Sequence, residues 1–101
     1  MKVLVIGAGG REHAIAWALK KSPRVSEVVC APGNAGMAKV ARCVPVDVAD
    51  LHALTDLVAT EQPGLVVIGP ELPLSLGDTI EPPVQPIEES AQTAKHAAKP
   101  Q

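Results

Sequence analysis

The stretch "MKVLVIGAGGREHAIAW", Met1–Trp17, decides the fold of this chain. Its first part, Lys2–Ile6, is an apolar run that predicts a buried strand of a parallel sheet, because such strands are covered on both faces. Arg11–Lys21 predicts a helix that ends before Pro23, since a proline disfavours helical geometry in the residue before it. The glycines between strand and helix predict a tight turn.

The rest of the first 69 residues continues this alternation of strands and helices. The predicted elements are strands at Glu27–Ala31, Val44–Val48 and Leu65–Ile68 and a helix at Leu51–Glu61. Pro45 places its strand at an edge of the sheet, and Asp50 is a suitable N-cap for the helix. This order predicts an α/β fold, a Rossmann-like, doubly wound parallel sheet of about four strands with flanking helices.

Three loops follow strands in this scheme, beginning at Gly7, Pro32 and Gly69. Right-handed crossovers bring all three to the carboxyl edge of the sheet. Ligands of doubly wound folds bind at that edge. We therefore expect any binding site to lie where these loops meet.

The composition changes after Gly77. Residues 78–101, "DTIEPPVQPIEESAQTAKHAAKPQ", contain four prolines, no aromatic residue and only isolated aliphatic ones. Such a segment buries too little apolar surface to offset the entropy lost on ordering, so we predict a folded domain over 1–77 and a disordered tail over 78–101. Leu65–Ile68 would then be an unpaired edge strand, which predicts self-association.

Charge and composition exclude several classes of function. A net charge of −2 and a single aromatic residue, Trp17, provide neither a basic stripe nor a stacking platform for nucleic acid. Cys30 and Cys43 form no CxxC pair, which indicates reduced thiols and a cytoplasmic protein. No apolar run is long enough to span a bilayer, and the dispersed His and Cys residues predict no metal site.

The glycine turn departs from the dinucleotide pattern G-x-G-x-x-G. Gly7 and Gly9 match it, but Glu12 stands at the third position, and the second strand ends Cys-Ala-Pro, without the acidic residue that binds ribose. These two departures exclude NAD, and no Gly-Lys-Ser/Thr follows to form a P-loop.

A smaller anion remains compatible with this turn. The N–H groups of Gly9, Gly10, Arg11 and Glu12 lie at a helix N-terminus, where the helix dipole favours a group such as a monophosphate. A bare strand-to-helix turn, with glycines present only for its shape, explains the same residues equally well.

Three motifs together are more specific than the turn alone. "GGREHA", "APGN" and "GPE", in this order and spacing, resemble the N-terminal pre-ATP-grasp domain of phosphoribosylamine–glycine ligases over about Met1–Gly77. The resemblance implies a role in purine biosynthesis, where ATP converts glycine to a glycyl phosphate that phosphoribosylamine attacks. It also implies that ATP and Mg²⁺ bind to ATP-grasp domains, which we do not expect in this chain. The chain would thus bind no cofactor and hold no catalytic residue, and the ATP-grasp portion would be its partner.

The resemblance also implies substrate-binding residues. They are expected to hold the 5′-phosphate, ribose or amine of phosphoribosylamine, or of a related sugar phosphate, and are Gly9, Gly10, Arg11, Glu12, Asn34 and Glu71. Each polar member has an ordinary alternative: Glu12 as a helix-stabilising acid, Asn34 as a turn residue, and Glu71 as a solvated loop acid. His13 is expected chiefly to pack on Trp17, one helical turn away.

Two other functions stay open at this point. One is a Rossmann-type module that binds a sugar phosphate or nucleotide without catalysis. The other is an inert, shortened product that binds nothing. Ligase activity from this chain alone is not expected, because catalysis requires the activated glycine to be positioned beside the amine.

Overall fold

The computed structural model of the chain describes residues 1–69 and 83–86. These residues form a five-stranded parallel sheet in the order β3-β2-β1-β4-β5. The elements along the chain are β1 (Lys2–Gly7), α1 (Gly10–Lys20), β2 (Glu27–Pro32), a 3-10 helix (Met37–Lys39), β3 (Arg42–Cys43), α2 (Leu51–Glu61), β4 (Leu65–Ile68) and β5 (Val84–Pro86). The predicted Rossmann-like fold is confirmed.

The core consists of two layers, one on each face of the sheet. Successive side chains of a strand point to opposite faces, so Val3 and Val5 pack with Ile15 and Leu19 of α1. The alternate residues of the strands pack with Leu54 and Val58 of α2. A helix therefore covers each face, which is the defining feature of a doubly wound sheet.

Strand β3 is shorter and lies earlier than predicted. It comprises Arg42–Cys43, whereas Val44–Val48 forms no strand. The N–H of Val44 still donates to the carbonyl of Cys30, at 2.8 Å, but Pro45 has no N–H and ends the ladder. The predicted edge position is confirmed, because β3 is the outermost strand beside β2.

Helix α2 has the predicted bounds and cap. The Asp50 carboxylate accepts a hydrogen bond from the N–H of Ala53 at 3.0 Å. Leu54 and Val58 are buried against the sheet, whereas Leu51 is 48% exposed. Leu51 is the first residue of the helix and lies outside the apolar cluster that covers this face.

A fifth strand lies within the segment that the composition assigns to a disordered tail. Val84–Pro86 pairs in parallel with β4, and the N–H of Val66 donates to the carbonyl of Pro83 at 2.9 Å. Strand β4 thus lies between β1 and β5. The prediction that Leu65–Ile68 forms an unpaired edge is wrong, and the self-association inferred from it loses its basis.

Four charged side chains join the sheet to α2 at the amino ends of the strands. Arg42 contacts Glu61 at 2.6 Å and Glu27 at 3.1 Å, and Lys2 contacts Glu61 at 3.1 Å. Lys2 Nζ also donates to the main-chain carbonyl of Glu61 at 3.1 Å, near the carboxyl end of the helix. The hydrogen bonds from Arg42, and next those from Lys2, lower the pKa of Glu61 to about 2.

Within the described ranges, neither helix is long and apolar enough to cross a membrane.

Candidate functional site

The loops after β1 and β2 meet at the carboxyl edge of the sheet, where β4 also ends. The N–H of Gly33 donates to the carbonyl of Gly7 at 3.1 Å, and the N–H of Gly69 donates to the carbonyl of Ile6 at 2.9 Å. The end of the central strand β1 therefore bonds through its main chain to the β2 loop and to the last described residue after β4. The loops after β1 and β2 meet as predicted, whereas residues 70–77 of the third loop lie outside the described ranges.

The turn between β1 and α1 is open to solvent. Ala8, Gly9, Gly10 and Arg11 are all exposed, and Gly9, at the N-cap, provides no side-chain hydrogen bond to the helix. The first N–H groups of a helix have no intrahelical acceptor, and the helix dipole makes this end electropositive. The turn thus combines exposed surface, main-chain donors and the cationic Arg11 at the carboxyl edge of the sheet.

Glu12 differs from the other turn residues because its side chain is buried. The residue is 2% exposed, and its carboxylate packs beneath Gly7 and Gly9. A Cβ on Gly7 would lie 2.7 Å from Cγ of Glu12, so the side chain fills the space at the end of β1. In dinucleotide-binding turns, a glycine at this position allows close packing of helix and strand. The side chain of Glu12 occupies that room here.

Asn34 links two of the three loops. Its Nδ2 donates to the carbonyl of Ala8 at 2.7 Å, and its Oδ1 accepts from the N–H of Met37 at 2.8 Å. The first bond ties the β2 loop to the glycine turn, and the second caps the 3-10 helix. Asn34 therefore makes both a local turn bond, to Met37, and a bond between two loops, to Ala8.

Substitution of Asn34 separates these two bonds. Asn34→Ala loses both, and we expect it to lower the free energy of unfolding by about 1–3 kcal/mol. Asn34→Asp keeps the acceptor for Met37 but replaces the donor to Ala8 with a carboxylate oxygen, which repels that carbonyl. Denaturant unfolding at neutral pH should therefore show both variants destabilised. An Asp variant as stable as the native chain would mean that the tie to Ala8 contributes nothing.

His13 and Trp17 have different neighbours around α1. The His13 ring lies against the β2 loop, where a Cβ on Gly36 would be 2.7 Å from its Cε1 atom. Trp17 is 50% exposed, and Nζ of Lys21 lies 3.3 Å from the centre of its ring. The His13 ring thus adds a contact between α1 and the loop that carries Asn34.

Glu71 of the "GPE" motif lies outside the described ranges, 1–69 and 83–86. Among residues 1–69 and 83–86, no three His, Cys, Asp or Glu side chains are grouped closely enough to hold a metal ion.

Ala8 and Gly33 belong to the site but were not predicted from the sequence. Each acts through its main chain, Ala8 as an acceptor for Asn34 and Gly33 as a donor to Gly7. The side-chain type of a residue does not indicate which hydrogen bonds its main chain will form. For Gly33, a φ of +72° shows why the "PGN" motif places a glycine there.

The fold and this edge define a class: a Rossmann-like α/β domain whose glycine turn is open to solvent and departs from the dinucleotide-binding form at Glu12. Residues 1–94 match the model of a family described as phosphoribosylglycinamide synthetase, N domain. The chain belongs to this family. The family model extends past Gly77, to residue 94.

Curated relatives support this assignment. The chain is 57% identical over 79 residues to a phosphoribosylamine–glycine ligase of Xanthomonas campestris pv. campestris, a match that covers 76% of this chain. It is 49% identical over 81 residues to the phosphoribosylamine–glycine ligase of a Nostoc species, which covers 78% of this chain. The matched part spans only 18% and 19% of those two relatives.

Solved structures agree with the fold. The phosphoribosylamine–glycine ligase of Thermotoga maritima superposes with a TM-score of 0.50 at 33% identity, covering 67% of this chain and 15% of that protein. A saccharopine dehydrogenase from Saccharomyces cerevisiae superposes with a TM-score of 0.56 at 19% identity, covering 93% of this chain and 20% of that one. The second likeness concerns the fold alone.

Proposed function

We propose that this chain binds the phosphorylated ribose of phosphoribosylamine, as the N-terminal part of a phosphoribosylamine–glycine ligase of purine biosynthesis. The observation that carries the proposal is the exposed α1 N-terminus at the carboxyl edge of the sheet, beside the β2 loop, in a member of this family. Main-chain donors at such an end favour an anion.

Each site residue has a distinct role in this proposal. The main chain of Gly9 and Gly10 receives the 5′-phosphate, and Arg11 adds a charge-assisted hydrogen bond. Asn34 holds its loop beside the turn and retains hydrogen-bonding capacity for a ribose hydroxyl, because each of its amide atoms makes one bond. Glu12 keeps the turn in shape from beneath, and Glu71 provides a carboxylate for the ribose or the amine.

Ribose 5-phosphate tests the binding step directly. A ligand that binds only the folded state raises its stability, so we expect ribose 5-phosphate to raise the melting temperature more than ribose does. Arg11→Gln should weaken the binding about tenfold, since a charge-assisted hydrogen bond contributes about 1.5 kcal/mol. Arg24→Gln is the matched control, because Arg24 is an exposed arginine beyond the other end of α1.

Two results would overturn the binding proposal. Equal shifts with ribose and ribose 5-phosphate would show that the phosphate is not recognised. Equal losses of affinity in the Arg11 and Arg24 variants would show that only the overall charge matters.

We propose further that these 101 residues bind substrate without turning it over. The relatives are more than five times as long as the matched part, and the resemblance assigns ATP and Mg²⁺ to their ATP-grasp portion. ATP and Mg²⁺ in that portion would supply the phosphoryl transfer that activates glycine, while this chain would hold and orient the amine. Binding of the amine alone does not place it beside the activated glycine, which the reaction requires.

Complementation distinguishes this function from its alternatives. The chain would be mixed with the remaining portion of a relative, and glycine-dependent ATP hydrolysis measured with phosphoribosylamine present. Restored turnover supports the ligase role. Binding of ribose 5-phosphate without restored turnover supports a non-catalytic module, and the absence of both supports an inert product.

A further inference from the structure

Cys30 and Cys43 are neighbours across two adjacent strands. They are register partners in the pairing of β2 with β3, and both thiols are free. Paired strands lie about 4.7–4.9 Å apart, and disulfides span Cα separations of about 4.4–6.8 Å. Both residues belong to the apolar layer beneath α1, so their side chains share a face of the sheet. The backbone thus already holds the two thiols at a distance that a disulfide can bridge.

The two thiols differ in access to solvent. Cys30 is fully buried, whereas Cys43 is half-buried at the edge strand. Burial, and next the neighbouring Cys43 thiol, raises the pKa of Cys30 to about 12. Cys30 therefore remains protonated and shielded, and Cys43 is the thiol that a dissolved reagent meets first.

Both thiols lie directly under the loop that carries Asn34. Sγ of Cys43 is 4.0 Å from the carbonyl oxygen of Asn34, to which it donates a weak hydrogen bond. A Cβ on Gly33 would lie 2.5 Å from Sγ of Cys43 and 3.2 Å from Cβ of Cys30. The loop thus packs onto the cysteine pair, and little room remains for a bulky adduct on Cys43.

We propose that Cys43 is an oxidation site for hydroperoxides and that Cys30 resolves it as a reversible cross-strand disulfide. In the first step, the Cys43 sulfur attacks the O–O bond of a hydroperoxide and gives up two electrons. The products are Cys43 sulfenic acid and an alcohol, or water when hydrogen peroxide is the oxidant. In the second step, the Cys30 thiol passes its proton to the sulfenic hydroxyl as its sulfur attacks that of Cys43, so the S–S bond forms, the S–O bond breaks and water leaves.

Two features of the structure favour disulfide formation over further oxidation of Cys43. The sulfenic acid forms next to a thiol that is held in register, so resolution is intramolecular and benefits from a high effective concentration. The same packing beneath Gly33 disfavours larger adducts. A dithiol reductant should regenerate both thiols by exchange.

The test is intact-mass spectrometry of the folded chain treated with dilute hydrogen peroxide. Peptide mapping assigns each change, because the exposed Met1 also gains oxygen from hydrogen peroxide. The cysteine pair of the native chain should lose two hydrogen atoms, gain no oxygen, and return to its starting mass with dithiothreitol. Cys30→Ala should instead accumulate sulfinic acid on Cys43, because the resolving thiol is gone. Cys43→Ala should stay unmodified at Cys30 as long as the fold persists, which circular dichroism checks.

The mass of the native chain decides the proposal even if a variant fails to fold. Gain of oxygen atoms on Cys43 without loss of hydrogen would overturn the resolving role of Cys30. A disulfide between two chains would overturn the cross-strand geometry. Neither result depends on whether this edge binds a sugar phosphate.

Discussion

The Gly7→Ala variant should lose about 2–5 kcal/mol of its free energy of unfolding. Gly7 has a φ of +144°, a region that residues with a Cβ rarely adopt, so alanine is strained there whatever the space. The new methyl group would also collide with Glu12, whose Cγ and Cδ lie 2.7 and 2.8 Å from its position. Since small domains have about 5–15 kcal/mol of stability in total, denaturant unfolding should show a much lower midpoint.

Gly10→Ala is the matched control for this substitution. Nothing lies within 4 Å of a Cβ at Gly10, and the residue opens α1. Alanine is the better helix former by about 0.8–1 kcal/mol in a helix interior, so this variant should be as stable as the native chain or slightly more. Equal destabilisation of the two variants would show that neither the backbone conformation of Gly7 nor its contact with Glu12 causes the loss.

A double substitution separates the two causes at Gly7. Glu12→Ala in the Gly7→Ala background removes the collision but leaves the backbone strain. Relative to Glu12→Ala alone, the double variant should therefore lose less stability than Gly7→Ala loses in the native chain. An identical loss in both backgrounds would mean that backbone strain accounts for the whole effect.

Acid should weaken the fold through Glu61. Its pKa in the folded chain is about 2, below the ordinary 4.5, because Arg42 and then Lys2 donate hydrogen bonds to the carboxylate. Between these two values the unfolded chain binds more protons than the folded chain, so stability falls as the pH falls. The contribution of Glu61 is complete above about pH 4.5 and is lost as the pH approaches 2.

Glu61→Gln should remove this dependence together with about 1–3 kcal/mol of stability at neutral pH. The difference between the native chain and the variant should be constant above about pH 4.5 and shrink from there to pH 2, as urea unfolding at several pH values would show. Asp56→Asn is the matched control, since the Asp56 side chain is 69% exposed and its ion pair within residues 1–69 and 83–86 is with His52 on the same helix. Exposed pairs contribute about 0–1 kcal/mol, and a Glu61 effect no larger than that of Asp56 would contradict the prediction.

Much of the fold could be predicted because a run of apolar residues indicates a strand that is buried on both faces. The apolar runs of β1, β2 and β4 have no polar face, as expected of strands covered on both sides, and all three are buried. Asp50 marked the start of α2 within one residue for a similarly local reason, since its carboxylate bonds to the first turn of the helix.

The candidate site could be predicted in part. Strands β1, β2 and β4 end at one edge because crossovers in parallel sheets have one hand, which the order of elements already determines. The inward turn of Glu12 and the tie from Asn34 to Ala8 could not be predicted. Both depend on how loops distant in sequence pack against each other, and a side chain of either type is compatible with several orientations.

By itself, the sequence determined the class of fold, the edge where a ligand would bind and the family to which the chain belongs, since each follows from local pattern or motif order. Only the tertiary structure decided that Val84–Pro86 completes the sheet, that Glu61 joins Arg42 to Lys2, and that Cys30 faces Cys43. The reason is that these contacts join residues far apart in the chain. Strand order and register bring such residues together, and no periodicity along the sequence records that proximity.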